Sequence, residues 1–160
     1  MALRTPVPMT PQGLKRLQEE LKRLKSVERP KNVADIEAAR AMGDLSENAE
    51  YHAAKERQVL IAKKIVETEN KIAQAHVIDP SSLDHAKVVF GATVRLVDTD
   101  SGEELCYQIV GADESDVKTG KISVESPIAR SLIGRKVGDI AKVTTPRGAK
   151  ELEILEIKYE

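Results

Sequence analysis

The chain has 160 residues, 41% hydrophobic and 32% charged, with a formal net charge of −1. That length holds one domain or two small ones with a real core. Near-zero charge excludes a protein that grips DNA by phosphate contacts alone, and three Tyr, one Phe and no Trp exclude a base-stacking platform.

The chain opens Met-Ala-Leu-Arg-Thr-Pro, without an apolar signal core, and no run approaches the roughly 18 apolar residues of a membrane span. A lone Cys106 cannot form an internal disulfide, which fits a reducing cytoplasm. Within its strand-like run Cys106 reads as a buried small hydrophobe rather than a catalytic thiol.

Thr10-Pro11 opens the first helix, threonine as N-cap and proline at the first helical position. Leu14, Leu17, Leu21 and Leu24 then recur in a 3-4-3 rhythm, a coiled-coil seam. The rhythm asks for apolar residues at 28, 31 and 35, but finds Glu28, Lys31 and Asp35. Pro30 lies in that gap and predicts a kink or short break, because it cannot donate to Ser26 and its ring crowds that carbonyl. Helix resumes with Val33, Ile36, Ala39 and Met42, and Gly43 closes it at C′.

A second helix is predicted to begin between Asp44 and Asn48 and to run to about Ala75. Ala54, Ile61, Ile65, Ile72 and Ala75 form its seam, with polar Gln58 and Thr68 at two seam positions. Two helices of about 30 residues joined by a short turn lie antiparallel, in a hairpin on the order of 45 Å long that projects into solvent.

Beyond Asp79-Pro80-Ser81-Ser82 the heptads stop and Val, Thr and Ile rise. Strands are expected over Ala92–Asp98, Glu103–Val110, Lys121–Val124, Asp139–Thr145 and Glu151–Tyr159, with turns at 99–102 and 146–148 and one short helix over Pro127–Ile133. The fold class is therefore α+β: a helical coiled-coil hairpin over residues 1–79, its tip at 43–51, and a small antiparallel-sheet domain over 80–160. The first part carries a net charge of +2 and the second −3, too little asymmetry to name a partner.

There is no phosphate-cradling glycine loop and no Cys/His zinc spacing, and His52, His76 and His85 are scattered. The chemistry-bearing feature is the acidic pair Asp44 and Glu47 at the hairpin tip. One reading is a capping box, in which Asp44 bonds the first turn and Glu47 reaches back. The other is a pair of outward carboxylates that hold Mg²⁺ weakly, the rest of its shell left open for a partner. The residues alone leave both open. Leu45 is an exposed apolar residue useful against a partner surface. Tyr51 stacks on a base, positions a water or packs on the hairpin neck. Arg40, Lys55 and Arg57 lie behind the tip, where they meet phosphates or form a solvated face.

Gly43-Asp-Leu-Ser-Glu-Asn-Ala-Glu-Tyr51 with Ala53-Ala-Lys55 resembles the tip motif of the Gre transcript-cleavage factors of bacterial RNA polymerase. Pro8-Met-Thr-Pro-Gln-Gly-Leu14 resembles the start of that family's first helix. Val77-Ile-Asp-Pro80, Val89-Phe-Gly-Ala-Thr-Val94, Tyr107-Gln-Ile-Val-Gly111 and Ile122-Ser-Val-Glu-Ser-Pro-Ile-Ala-Arg130 resemble its second domain. The near-neutral charge fits the family's A-type.

The resemblance implies an N-terminal coiled coil and an FKBP-like C-terminal domain, with no prolyl isomerase activity following from that fold. It implies a monomer that is a cofactor rather than an enzyme. The sheet domain docks at the rim of the polymerase secondary channel and the hairpin enters it. Asp44 and Glu47 match the acidic pair that helps hold a second Mg²⁺ and its attacking water, shared with the polymerase active site. The nascent RNA 3′ end in a backtracked complex is cut, and elongation resumes. Tyr51, Arg40 and Lys55 match tip contacts, and Glu125, Ser126 and Pro127 match a polymerase-docking loop. Ser46 stands where some members carry lysine. Two other readings are a channel-binding regulator that inhibits polymerase without promoting cleavage, and a coiled-coil adaptor unrelated to polymerase.

Overall fold

The computed structural model describes residues 6–44, 47–83 and 85–159. Chain contacts divide it into two compact units. One holds 14–75. The other holds 76–160 together with 5–13. The architecture is α+β.

In the hairpin unit, α1 (Pro11–Arg23), a π-helical turn (Leu24–Glu28) and α2 (Arg29–Arg40) form one continuous helical run. The break expected at Pro30 is absent. Arg29 N–H instead reaches back five residues to the Leu24 carbonyl, with helical backbone angles on both sides. The widened turn satisfies the backbone just ahead of a residue that cannot donate, and helix continues through the proline.

That turn also resolves the seam conflict. It inserts one residue into the helical count, so the inward positions after Leu24 fall at Glu28, Asn32, Ile36 and Ala39 rather than at 28, 31 and 35. Asn32, Ile36 and Ala39 are buried, and Lys31 and Asp35 point outward. Val33 and Met42, with which the helix was expected to resume, are 44% and 70% exposed. Met42 lies beyond the helix, which ends at Arg40 with Ala41 as C-cap. Gly43 therefore stands one residue past C′, with φ at +113°.

The second long helix, α3, spans Ala49–Gln74. It packs against the first run with Leu24 between Ile61 and Ile65, and Leu21 beside them. Glu28 meets Arg57, Asn32 meets Ala54 and Ala39 meets Asn48. Partner numbers fall as the first helix advances, the signature of an antiparallel pair. Ile61, Ile65 and Thr68 are buried as expected, and the Thr68 hydroxyl is satisfied within its own helix by donating to the Lys64 carbonyl at 2.7 Å. Gln58 is exposed, and the polar residue inside the seam is Asn32, 2% exposed, whose amide donates to the Ala54 carbonyl at 2.9 Å. A buried amide with one fitting acceptor specifies register.

In the sheet unit, β1 (Val7–Met9) and β2 (Ala75–Val77) form a two-stranded ribbon, both too short to announce themselves in the sequence. The main sheet holds β3 (Thr93–Asp98), β4 (Glu104–Val110), β5 (Lys121–Ser123), β6 (Ile140–Thr145) and β7 (Gly148–Lys158), in the order β5-β4-β3-β7-β6. All neighbours are antiparallel except β4 and β5, which run parallel, so the sheet is mixed at one edge. The short helix α4 (Pro127–Leu132) covers the inner face with Ala129 and Leu132, both fully buried against a core that includes Val94, Leu96, Ile109, Val143 and Ile154. Cys106 is exposed, contrary to its reading as a buried residue: strand alternation sends Leu105 and Tyr107 toward the core and Cys106 to the outer face opposite Arg95.

Within this unit the Glu114 carboxylate holds the segment that carries Thr10. It accepts from the Thr10 amide at 3.1 Å, from the Thr10 hydroxyl and from the Gly111 amide at 3.0 Å. The Thr10 hydroxyl in turn accepts from Gly13 N–H at 3.0 Å, the capping role expected of it.

Candidate functional site

The turn between α2 and α3 is built by the ends of both helices. Met42 N–H donates to the Ala39 carbonyl and Gly43 N–H to the Arg40 carbonyl, and the positive φ of Gly43 turns the chain away from the helix axis. The N-cap of α3 is Asn48, in extended backbone (φ −87°, ψ 97°), its side-chain oxygen accepting from Tyr51 N–H at 3.0 Å. Its side-chain nitrogen donates to the Ala39 carbonyl at 2.7 Å. One amide thus caps one helix and occupies a last-turn carbonyl of the other. Sequence reasoning missed this role, although Asn just ahead of a helix-forming run is the signal for it.

With Asn48 as the cap, Asp44 and Glu47 both lie ahead of α3 and are exposed. Neither is the N-cap of α3. Leu45 and Ser46, to which the sequence assigned a partner contact and a lysine replacement, lie outside the described residues. Behind the turn, the Arg40 guanidinium sits 5.9 Å from the centre of the Tyr51 ring, and the His52 ring meets Tyr51 edge-on at 5.7 Å. A cation–ring contact at the protein surface is worth about 0.5–1 kcal/mol.

The remaining predicted contacts separate. Lys55 donates to Gln58 within α3 at 3.1 Å. Arg57, expected near the tip, is engaged farther down the hairpin by Glu28 at 2.8 Å, and Glu28 also takes Arg23 at 2.8 Å. The Arg57 bond, foremost, holds the Glu28 carboxyl below the ordinary carboxylate range. Arg57 is therefore an interhelical tie in this geometry. In the sheet unit, Ser126 caps α4, accepting from Ala129 N–H at 3.3 Å and donating to the Ser123 carbonyl at 2.7 Å. Glu125 and Pro127 flank it on the surface.

Among the described residues no three His, Cys, Asp or Glu side chains gather into a metal-binding cluster. Asp44 and Glu47 are hard oxygen donors on an exposed turn, a donor set that fits Mg²⁺ shared with ligands from elsewhere.

Residues 7–77 match the family "Transcription elongation factor, N-terminal", and residues 83–159 match "Transcription elongation factor, GreA/GreB, C-term". The chain belongs to the GreA/GreB family of transcription elongation factors. It is 58% identical to transcription elongation factor GreA of Phenylobacterium zucineum, over 96% of this chain and 98% of that one. It is 57% identical to the GreA of Trichlorobacter lovleyi at the same coverage. Among solved structures, GreA factor homolog 1 (Gfh1) of Thermus thermophilus is 28% identical, covering 96% of this chain and 99% of that one, with a TM-score of 0.43. In this member of the GreA/GreB family no helix among the described residues is long and apolar enough to cross a membrane.

Proposed function

We propose that this elongation factor is a cytoplasmic monomer that binds RNA polymerase through its secondary channel and stimulates cleavage of the RNA 3′ end in backtracked complexes. The observation that carries the reading is the exposed acidic pair at the hairpin turn, lying ahead of the α3 N-cap Asn48. Asp44 and Glu47 offer carboxylate oxygens to a Mg²⁺ that the polymerase also ligates. When bound, Mg²⁺ supplies Lewis acidity for attack of water on a phosphodiester.

The chain's own contribution is presentation. Exposed Arg40, at the end of α2, offers a positive charge that attracts an RNA phosphate, and its guanidinium lies over the Tyr51 ring. Half-buried Lys55 adds a second cation on α3, its amine bonded to Gln58. Arg57 serves the hairpin through Glu28 and is left out of the tip contacts. For docking, Glu125 and Pro127 present exposed surface, while Ser126 shapes the loop by capping α4.

The test is RNA cleavage in a stalled, backtracked polymerase complex. Wild type shortens the RNA. Asp44→Ala and Glu47→Ala each lose on the order of a hundredfold in cleavage rate, the scale of removing one group that stabilises developing charge, while still competing with wild type for polymerase. Full cleavage by both variants overturns the reading. Polymerase inhibition without RNA shortening by wild type identifies a channel-binding inhibitor instead.

A further inference from the structure

We infer that Asn48 is a positioning residue for the acidic pair, acting by tying the two helix ends together rather than by touching metal or RNA. The inference rests on the proposed role of Asp44 and Glu47. Asn48 makes two bonds of opposite polarity, oxygen to Tyr51 N–H at 3.0 Å and nitrogen to the Ala39 carbonyl at 2.7 Å. Asparagine is the small side chain that supplies both an acceptor and a donor from one planar group. Serine or aspartate supplies the cap alone, since neither carries an amide nitrogen to reach Ala39.

The consequences run to both carboxylates. Glu47 is the residue immediately before Asn48, so fixing the Asn48 backbone in its extended cap conformation fixes where Glu47 leaves the helix. Asp44 follows Gly43 on the other side of the turn, four residues past Arg40. The Ala39 carbonyl that receives Asn48 also receives Met42 N–H at 3.2 Å, so one acceptor anchors the outgoing and the returning chain. Ala39 itself is 2% exposed, which makes the anchor a packed point of the hairpin. The Asn48–Tyr51 bond also fixes the first turn that carries Tyr51 under Arg40. Two flexible acids on a loose turn bind a shared cation only after they are brought together. A clamped turn removes that ordering cost before the metal arrives.

The experiment compares wild type, Asn48→Ser and Asn48→Ala as full chains. Cleavage of backtracked RNA is titrated with Mg²⁺, competition for polymerase is measured in parallel, and amide hydrogen exchange is followed at Tyr51 and Met42. Asn48→Ser keeps the cap and the fold. It is expected to need several-fold more Mg²⁺ for half-maximal cleavage, with polymerase competition within twofold of wild type and faster exchange at Met42. Asn48→Ala is expected to move the Mg²⁺ midpoint further and to speed exchange at Tyr51 as well. An unchanged Mg²⁺ midpoint in both variants, with wild type cleaving normally, overturns the positioning role and leaves the cleavage reading standing. Loss of cleavage and of competition in equal measure in Asn48→Ser, with no shift in midpoint, assigns Asn48 to folding alone and also overturns it. No cleavage by wild type overturns the reading beneath it.

Discussion

Gly111 and Asn48 show how single residues commit this chain to its geometry. A Cβ on Gly111 would lie 2.3 Å from the Pro8 carbonyl oxygen, a backbone atom held by the β1 segment. Its amide also donates to Glu114, which holds Thr10 at the start of α1. Gly111→Ala must push β1 aside or bend its own loop, and is expected to destabilise the sheet unit by about 1–3 kcal/mol, the usual range for overpacking. Denaturant unfolding of the two proteins, followed by a signal from the sheet unit, measures this directly. Unchanged stability would mean that the Pro8 carbonyl relaxes freely. None of this could be read from sequence, because Gly111 has φ −65°, an ordinary angle at which nothing local asks for glycine. The requirement comes from a segment about a hundred residues away. Asn48 is the opposite case. Its cap was available to sequence reasoning, but the competing Asp44–Glu47 capping box obscured it, and the bond to Ala39 required the helices to be side by side.

At the scale of elements, the π-helical turn is the device that reconciles the first helix with its own sequence. The leucine rhythm and the charged residues at 31 and 35 contradict each other only if every turn is α-helical. One wider turn before Pro30 moves Asn32 and Ile36 into the seam and sends Lys31 and Asp35 to solvent. Glu28, at the end of that turn, faces Arg57 on α3 and Arg23 on its own helix. The Arg57 hydrogen bond is the main reason its carboxyl titrates below the ordinary glutamate value of 4.5. A carboxyl whose pKa is lowered in the folded state stabilises that state above its unfolded pKa, and the contribution fades as pH falls through the lowered value. The hairpin is therefore expected to keep the Glu28 contribution down to about the ordinary value and lose it below. Helix content followed through thermal melts at successively lower pH tests this, with Arg57→Ala flattening the acid limb relative to wild type. Parallel melting of the two proteins across that range would remove Glu28 from the account.

At the scale of the whole molecule, the two units differ in how much they bury. The hairpin's buried apolar cluster consists of Leu24, Ile61 and Ile65 with Leu21 beside them. The sheet unit packs a far larger set, with Val94, Leu96, Ile109, Leu132 and Ile154 almost wholly removed from solvent. Long-lived protection follows buried contacts, so hairpin amides should exchange through openings of lower free energy than those of β3, β4 and β7. Native-state hydrogen exchange resolves this, and equal protection in both units would show that they unfold as one. What the sequence by itself determined was the inventory: two long helices from the heptads, the five main strands to within a few residues, and the acidic pair at a turn. Those are local signals, set by periodicity and by turn residues that act on their neighbours. Tertiary structure alone decided the phase of the seam after Leu24, the parallel edge strand β5, the exposure of Cys106, the tie between Arg57 and Glu28, and the bond from Asn48 to Ala39. Each of these depends on what a residue meets across the fold, and burial, register and long-range hydrogen bonds exist only once distant segments have come together.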